Sequence, residues 1–166
     1  MGEKQHATNG TEASCVYNAC IRHLVVDIPR AVDAISSYKR VFGAEEVEKT
    51  LDKCKVDQEV PLILHAHLKF GSAEIMLCDK FEGTSSNVQP PSTLNGTPEI
   101  VHVVTDDVDA TFSKAVEAGA KELERIADQQ WGMPYGKVLD PFGFFSEFRY
   151  HSQGNRLQEA GCSRTQ

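Results

Sequence analysis

The chain has 166 residues and a formal net charge of −7, from 17 Lys and Arg against 24 Asp and Glu, and 40% of its residues are apolar. This length and composition predict one compact domain without disulfide staples, and they exclude a chain that is disordered throughout. An acidic chain without a Lys/Arg cluster lacks the basic surface that binds nucleic acid, so we expect small molecules or proteins as partners.

The cysteines and the apolar runs indicate the compartment. The five cysteines include no CxxC pair, which predicts neither a disulfide framework nor a zinc knuckle. No apolar run approaches the roughly 20 residues that cross a bilayer, and the N-terminal segment lacks the apolar stretch of a signal peptide. We therefore expect a cytoplasmic protein without a membrane partner.

Both ends of the chain are polar and lack an apolar period. They predict flexible tails over residues 1–16 and 153–166, which flank a single domain over residues 17–152. A connector rich in Pro, Gly, Ser and Asn divides this domain. The boundaries are module one at about 17–80, the connector at 80–97 and module two at about 98–152.

The first module begins with a strand and a helix. Residues 19–26 (ACIRHLVV) predict a strand, and residues 30–41 (RAVDAISSYKRV) predict an amphipathic helix that ends at Gly43. Three further strands are predicted at residues 45–50, 62–70 and 73–79. A Gly-Ser pair between the last two is typical of a hairpin turn.

After the connector the same order begins again. Residues 32–34 (VDA) recur as residues 108–110, and residues 43–48 (GAEEVE) recur as GAKELE at 119–124. Both matches lie at the same offset, which indicates an internal duplication, although chance recurrence of short, common tokens is the alternative. The predicted fold class is α+β, with two tandem βαβββ modules forming a concave mixed sheet whose open face would hold a small molecule.

The order of elements, the segment AVDAISSYKRVFGAEEV and above all residues 128–148 (DQQWGMPYGKVLDPFGFFSEF) resemble the vicinal oxygen chelate superfamily, also called the glyoxalase/bleomycin resistance/dioxygenase family. The pairing of HAHLKFGSAEIMLCD with WGMPYGKVLDPFG is most similar to its PhnB-like, glyoxalase-like branch. The resemblance covers residues 19–150 approximately. It implies the fold but leaves the reaction open, because this fold hosts isomerases, dioxygenases, epoxide-opening enzymes and drug binders.

The resemblance also implies candidate metal ligands. Metal-dependent members carry four inward ligands, one from the first and one from the last strand of each module. Counting from Ser37-Tyr38 places the first on His23, and counting from Asp140 places the last on Glu147. An imidazole and a carboxylate suit one divalent Zn, Ni, Mn or Fe ion. The alternatives are that both residues are polar groups of a metal-free pocket, or that neither faces the pocket.

The other two ligand positions depart from the family pattern. They fall on Met76 and Ile100, whose side chains are poor or impossible ligands for a hard divalent ion. Because side chains alternate along a strand, Glu74 shares the face of Met76 and His102 shares the face of Ile100. We expect these residues to line the pocket, although too far along the strand to replace the missing ligands directly.

Three further features are interpreted with their alternatives. His65 and His67 share one face of a strand, but the sequence leaves open which face that is. Trp131, in the Gly/Pro-rich loop WGMPYG, is either a ligand wall or packs on the sheet. The turn at residues 140–143 (DPFG) is predicted to be structural, because Pro fixes φ and Gly permits a tight reversal.

Two functions follow as hypotheses. With a metal on His23 and Glu147, the resemblance implies a lyase or isomerase of the glyoxalase I type, in which Glu147 or Glu74 moves the proton of a developing enediolate. Without a metal, it implies a small-molecule binding or sequestering protein of the bleomycin-resistance type. The pocket is then lined by Met76, Ile100, His102 and Trp131. In either case the family habit of pairing modules across chains implies a homodimer.

Overall fold

The computed structural model describes residues 19–52, 60–130 and 132–151. The elements are β1 (Arg22–Val26), α1 (Ala31–Phe42), β2 (Glu45–Asp52), β3 (Leu62–Phe70), β4 (Ala73–Asp79), α2 (Pro91–Leu94), β5 (Ile100–Thr105), α3 (Val108–Glu117), β6 (Lys121–Asp128), β7 (Pro134–Leu139) and β8 (Phe145–Tyr150). The two predicted tails lie outside the described residues. In the described ranges, no helix has the length and apolar character needed to cross a membrane.

The two modules repeat one topology. Module one has strand order β1-β4-β3-β2 and module two has β5-β8-β7-β6, and in each the first strand pairs in parallel with the last. This arrangement confirms the predicted tandem βαβββ modules and the α+β class. The modules keep two separate hydrogen-bonded sheets. The short helix α2 in the connector was not predicted; a proline occupies its first turn, where the missing N–H costs little.

The helices cover one face of each sheet. Helix α1 buries Ala34, Ile35, Tyr38 and Val41 on one stripe, as its period predicts. It ends at Gly43, whose φ of 66° is the left-handed conformation that glycine adopts without strain. Among the described residues, no helix covers the opposite face of either sheet, and we call that face the open face of its module.

The cores of the two modules interlock. Phe142 and Phe144, which follow the last turn of module two, are buried in the core beneath α1 of module one. In return, Val41 and Phe42 from the end of α1 pack against the core of module two. Each module therefore contributes side chains to the core of the other. Burial of these aromatic side chains opposes separation of the two modules.

Asp140 organises the turn that enters the core of module one. Its Oδ1 accepts the backbone N–H groups of Phe142 at 2.9 Å and Phe144 at 2.8 Å, and its Oδ2 accepts the hydroxyl of Tyr38 at 2.8 Å. Gly143 takes a φ of 93° within the turn. The segment is thus the structural turn that the sequence predicts, and one carboxylate joins it to helix α1.

Asp79 is a second organising carboxylate, and it lies fully buried at the end of β4. Its Oδ1 accepts the backbone N–H of Ala31 and its Oδ2 accepts that of Ile63, each at 2.8 Å. The first contact satisfies one of the unpaired donors at the start of α1. Asp79 therefore fixes the start of helix α1 and strand β3 to the end of β4.

Candidate functional site

The open face of module two carries a polar centre. Strand register places His102 beside Glu147 and Glu147 beside Lys137, on three adjacent strands. The Nζ of Lys137 lies 3.1 Å from Oε1 of Glu147, and the Nδ1 of His102 lies 3.2 Å from Oε2. A hydrogen bond from Tyr135 also reaches the carboxyl of Glu147. Glu147 is thus held by groups from β5 and β7, one strand to either side.

The electrostatics of this centre favour an ionised carboxylate. Burial raises the pKa of Glu147, but hydrogen bonds from Tyr135 and Lys137 and the charges of Lys137 and His102 outweigh that effect, so the pKa is lowered. Hydrogen bonds of Lys137 to Glu147 and to Tyr135 raise the pKa of Lys137. Glu147 and Lys137 therefore form a charged pair at neutral pH, and only 8% of Glu147 remains exposed.

Apolar side chains border this polar centre. Ile100 and Val104 stand on the same face of β5 as His102 and are 40% and 43% exposed. Phe145, which pairs with Ile100 in the strand register, has its ring centroid 6.0 Å from the Nζ of Lys137. The surface thus combines a few convergent polar groups with apolar walls, which is the usual composition of a small-molecule site.

The open face of module one carries histidines instead. His23 pairs with Met76 in the strand register, and Met76 pairs with His67, so all three share this face. The rings of His23 and His65 lie with their centroids 6.3 Å apart. Burial and the neighbouring His65 lower the pKa of His23, which favours its neutral form. The sequence did not decide which face His65 and His67 occupy. The register and the ring contact place both on the open face of module one.

Carboxylates engage the other two histidines of this face. The Nε2 of His67 lies 2.9 Å from Oε2 of Glu74, and the Nε2 of His65 lies 3.1 Å from Oε1 of Glu48. Glu74 does stand on the pocket side, but its described contact is to His67. Among the described residues, no hydrogen bond or ion pair joins Glu74 to the polar centre of module two, and the role of Glu147 or Glu74 as the proton carrier stays a prediction.

The two predicted metal ligands belong to different sheets, His23 to β1 and Glu147 to β8. In the portion of the chain that the structure describes, no hydrogen bond, ion pair or ring contact joins His23 to Glu147. His23 pairs with Met76 in module one, whereas in module two Glu147 pairs with His102, and Ile100, the predicted ligand position, pairs with Phe145. Trp131, predicted as a ligand wall, lies outside the described residues.

Sequence reasoning missed Lys137 and Tyr135. Both stand on β7, on the same face as Glu147, and Lys137 is the direct cross-strand neighbour of Glu147. The alternation in residues 134–139 (PYGKVL) puts both side chains on one face of a half-buried strand. A lysine at such a position is expected to have a charged partner. The partner could not be named without the hairpin register.

The residues present do not fit the four-ligand metal centre of the family. Across residues 19–52, 60–130 and 132–151, no group of three or more His, Cys, Asp or Glu side chains is arranged to hold a metal. The carboxylate of Glu147 is already bound by the ammonium group of Lys137. The positive charge of Lys137 would oppose the approach of a divalent ion to this carboxylate.

We expect Lys137→Met to raise the pKa of Glu147, because the variant loses both a hydrogen bond and a positive charge. A lowered folded-state pKa contributes stability that is present above the unfolded pKa and is lost as the pH falls through the folded one. The wild type should therefore lose its stability advantage over Lys137→Met in acid. Carboxyl ¹³C NMR titration and urea unfolding between pH 2 and pH 7 measure both effects, with exposed Lys121→Met as the control. An unchanged Glu147 titration would contradict the pairing.

Comparisons with known proteins agree with this architecture. The family model described as glyoxalase At5g48480-like, N-terminal domain, matches residues 23–80, and its C-terminal domain model matches residues 100–148. Together these matches cover more than half of the chain, and their boundaries follow the two modules.

Individual relatives extend over most of the chain. An uncharacterized protein of Mycobacterium tuberculosis (strain H37Rv) is 35% identical over 144 residues, which are 86% of this chain and 80% of that protein. The uncharacterized protein At5g48480 of Arabidopsis thaliana is 34% identical over 144 residues, 82% of this chain and 83% of that protein. The X-ray structure of the Arabidopsis gene product superposes with a TM-score of 0.62 at 28% identity, over 81% of this chain and 99% of that one.

A more distant structure supports the fold alone. A glyoxalase/bleomycin resistance protein/dioxygenase family enzyme from Burkholderia phytofirmans superposes with a TM-score of 0.54 at 17% identity, over 80% of this chain and 98% of that one. With the module-by-module match of the family models, the chain belongs to the glyoxalase At5g48480-like family, and it has the fold of the glyoxalase/bleomycin resistance/dioxygenase proteins.

Proposed function

We propose that this protein binds a small organic molecule on the open face of module two without a metal ion. The observation that carries the proposal is the ion pair between Lys137 and Glu147, with 3.1 Å between Nζ and Oε1. An ammonium group on the carboxylate neutralises the charge that would otherwise attract a divalent cation. His102 contacts Glu147 through Nδ1, but 57% of its side chain is exposed, so the rest of its ring can meet a ligand.

The chemistry of the face supports a ligand class. Ile100, Val104 and Phe145 offer an apolar wall, while His102, Tyr135 and Lys137 offer donors and acceptors at one edge. A planar aromatic molecule with one or two polar substituents would cover the wall and hydrogen-bond to that edge. Met76, at the position where a metal-dependent relative needs a ligand, adds polarisable apolar surface on module one.

The first test concerns the metal. We expect the melting temperature of EDTA-treated protein to be unchanged by Zn²⁺, Ni²⁺, Mn²⁺ or Fe²⁺, because an ion raises the melting temperature only if it binds the folded protein. Elemental analysis of the purified protein is the companion measurement. Stabilisation by one of these ions that disappears in Glu147→Gln would overturn the metal-free proposal and support the lyase or isomerase of the glyoxalase I type instead.

The second test concerns the ligand. A panel of uncharged aromatic and heteroaromatic compounds is screened by ligand-observed NMR, and each binder is titrated against wild type, His102→Ala and Lys121→Met. We expect at least one compound to bind the wild type and the Lys121→Met control equally. Loss of one hydrogen bond and of ring contact in His102→Ala should weaken binding by about tenfold. A panel without any such compound contradicts the proposal.

A further inference from the structure

A cleft between the two modules shares His102 and Val104 of β5 with the open face of module two and extends from there to module one. It has a volume of about 740 Å³, within the range of roughly 300–1,000 Å³ typical of small-molecule pockets. Its walls come from the end of α1, the turn between β3 and β4, and the free edge of β5, including residues 101–105. The proposed function above uses none of the residues that module one contributes to this space.

The floor of the cleft is aromatic. Tyr38, Phe42 and Phe70 line it and form one cluster, with centroids 6.3 Å apart for Tyr38 and Phe70 and 6.2 Å apart for Phe42 and Phe70. Leu24 and Ile75 extend the apolar surface along module one. Such a floor favours an aromatic or alicyclic body, which gains both apolar burial and edge-to-face ring contacts.

The charge of the cleft is opposite to that of the protein. The chain carries a net charge of −7, yet the residues that line the cleft include Arg40 and Lys114 and no Asp or Glu. Both cations are exposed, and within the described ranges neither forms an ion pair. Two acidic residues interact with Tyr38 but do not line the cleft. Asp140 accepts the Tyr38 hydroxyl, and Glu99 pairs with Arg22.

The geometry points to a second binding site, in which this cleft holds an amphipathic organic anion. Its aromatic body lies on Tyr38, Phe42 and Phe70, and its carboxylate or sulfonate group is held by Arg40 and Lys114. The competing explanation is that the two cations only complement the negative ends of α1 and α3, where both stand in the last turn. That explanation accounts for the cations but leaves the aromatic floor without a role.

Two fluorescent probes separate these explanations. 8-Anilinonaphthalene-1-sulfonate carries an aromatic body and an anionic group, and N-phenyl-1-naphthylamine has a similar body without the charge. We expect Arg40→Gln combined with Lys114→Gln to weaken binding of the sulfonate by about tenfold, since each exposed charge contact contributes up to about 1 kcal/mol. The uncharged probe should bind the wild type and this double variant equally.

The matched control removes two exposed cations outside the cleft, Lys69→Gln combined with Lys121→Gln, and so changes the net charge by the same amount. It should bind the sulfonate within about twofold of the wild type. Ser72→Trp, at an exposed turn on the cleft wall, should weaken both probes by occlusion. Melting curves of each variant verify that it is folded, because unfolded or loosened chains bind the sulfonate nonspecifically.

Three results would overturn the inference. Equal sulfonate affinity in the cleft double variant and the control double variant would mean that the net charge of the protein, rather than Arg40 and Lys114, controls binding. Amide NMR shifts confined to β7 and β8, without shifts in α1 or in the turn between β3 and β4, would assign it to the open face of module two. Sulfonate binding that disappears as the protein is concentrated into a dimer, with cleft amides protected, would assign the cleft to a second copy of the chain. Binding that survives Lys137→Met but not the cleft variants supports the inference.

Discussion

Asp79→Ala is expected to lower the free energy of unfolding by about 4 kcal/mol, because two buried backbone donors lose their acceptor at once and each such loss costs about 1–3 kcal/mol. The carboxylate is fully buried and accepts the N–H groups of Ala31 and Ile63, each at 2.8 Å. A small cavity adds to the cost. Since a domain of this kind has a total stability of about 5–15 kcal/mol, the variant should be close to unfolding at 37 °C.

A graded series distinguishes this cause from a general loss of charge. Asp79→Asn keeps the volume but turns one acceptor into a donor facing an N–H group, so it should lose about half as much stability as Asp79→Ala. Asp106→Ala removes an exposed carboxylate without a described partner and should change the unfolding free energy by less than about 0.5 kcal/mol. Urea unfolding followed by circular dichroism gives all three values. Equal losses in Asp79→Asn and Asp106→Ala would contradict the assigned role of Asp79.

The elements of the fold were predictable because their periods are strong. The strands at 62–70 and 73–79 appear at the predicted bounds, and the helix predicted over 30–41 is Ala31–Phe42. In both cases the alternation or the apolar stripe is the same pattern that the core buries. The duplication was also visible, since the repeated VDA tokens stand at the starts of equivalent helices, α1 and α3.

The candidate site was less predictable because it depends on register between strands that are distant in sequence. Alternation assigned Ile100 and His102 to one face correctly, but it could not decide which of them stands beside Glu147. The parallel pairing of β5 with β8 decides it, and that pairing is absent from the local sequence. For the same reason the Lys137–Glu147 pair, formed across the β7–β8 hairpin, was missed.

The contact between modules differs from the expectation of one continuous concave sheet. The strands of each module hydrogen-bond only within their own sheet. The modules join through side chains that pack into the other module's core, chiefly Phe142 and Phe144 in one direction and Phe42 in the other. The sequence predicted the turn at residues 140–143 but not its destination. A turn's conformation is local, whereas the core that receives it is set by packing across the whole domain.

The hydrogen bond between Tyr38 and Asp140 is the polar link within that interlocked core, and removing its acceptor should be costly. Asp140→Ala deprives the Tyr38 hydroxyl and the N–H groups of Phe142 and Phe144 of their common acceptor. We expect it to lower the unfolding free energy by about 3 kcal/mol or more, because a hydrogen bond to a charged group is worth about 1.5–3 kcal/mol. Tyr38→Phe removes only one bond and should cost about 1.5 kcal/mol.

A double-mutant cycle isolates the link between the modules from the support of the turn. The variants are Tyr38→Phe, Asp140→Ala and their combination, measured by urea unfolding at pH 7 and low ionic strength. If the 2.8 Å contact carries the link, the combined loss should be smaller than the sum of the single losses by about 1–2 kcal/mol. Strict additivity would mean that Asp140 acts on the turn alone. In that case the interlocked aromatic side chains, rather than this carboxylate, would hold α1 against module two.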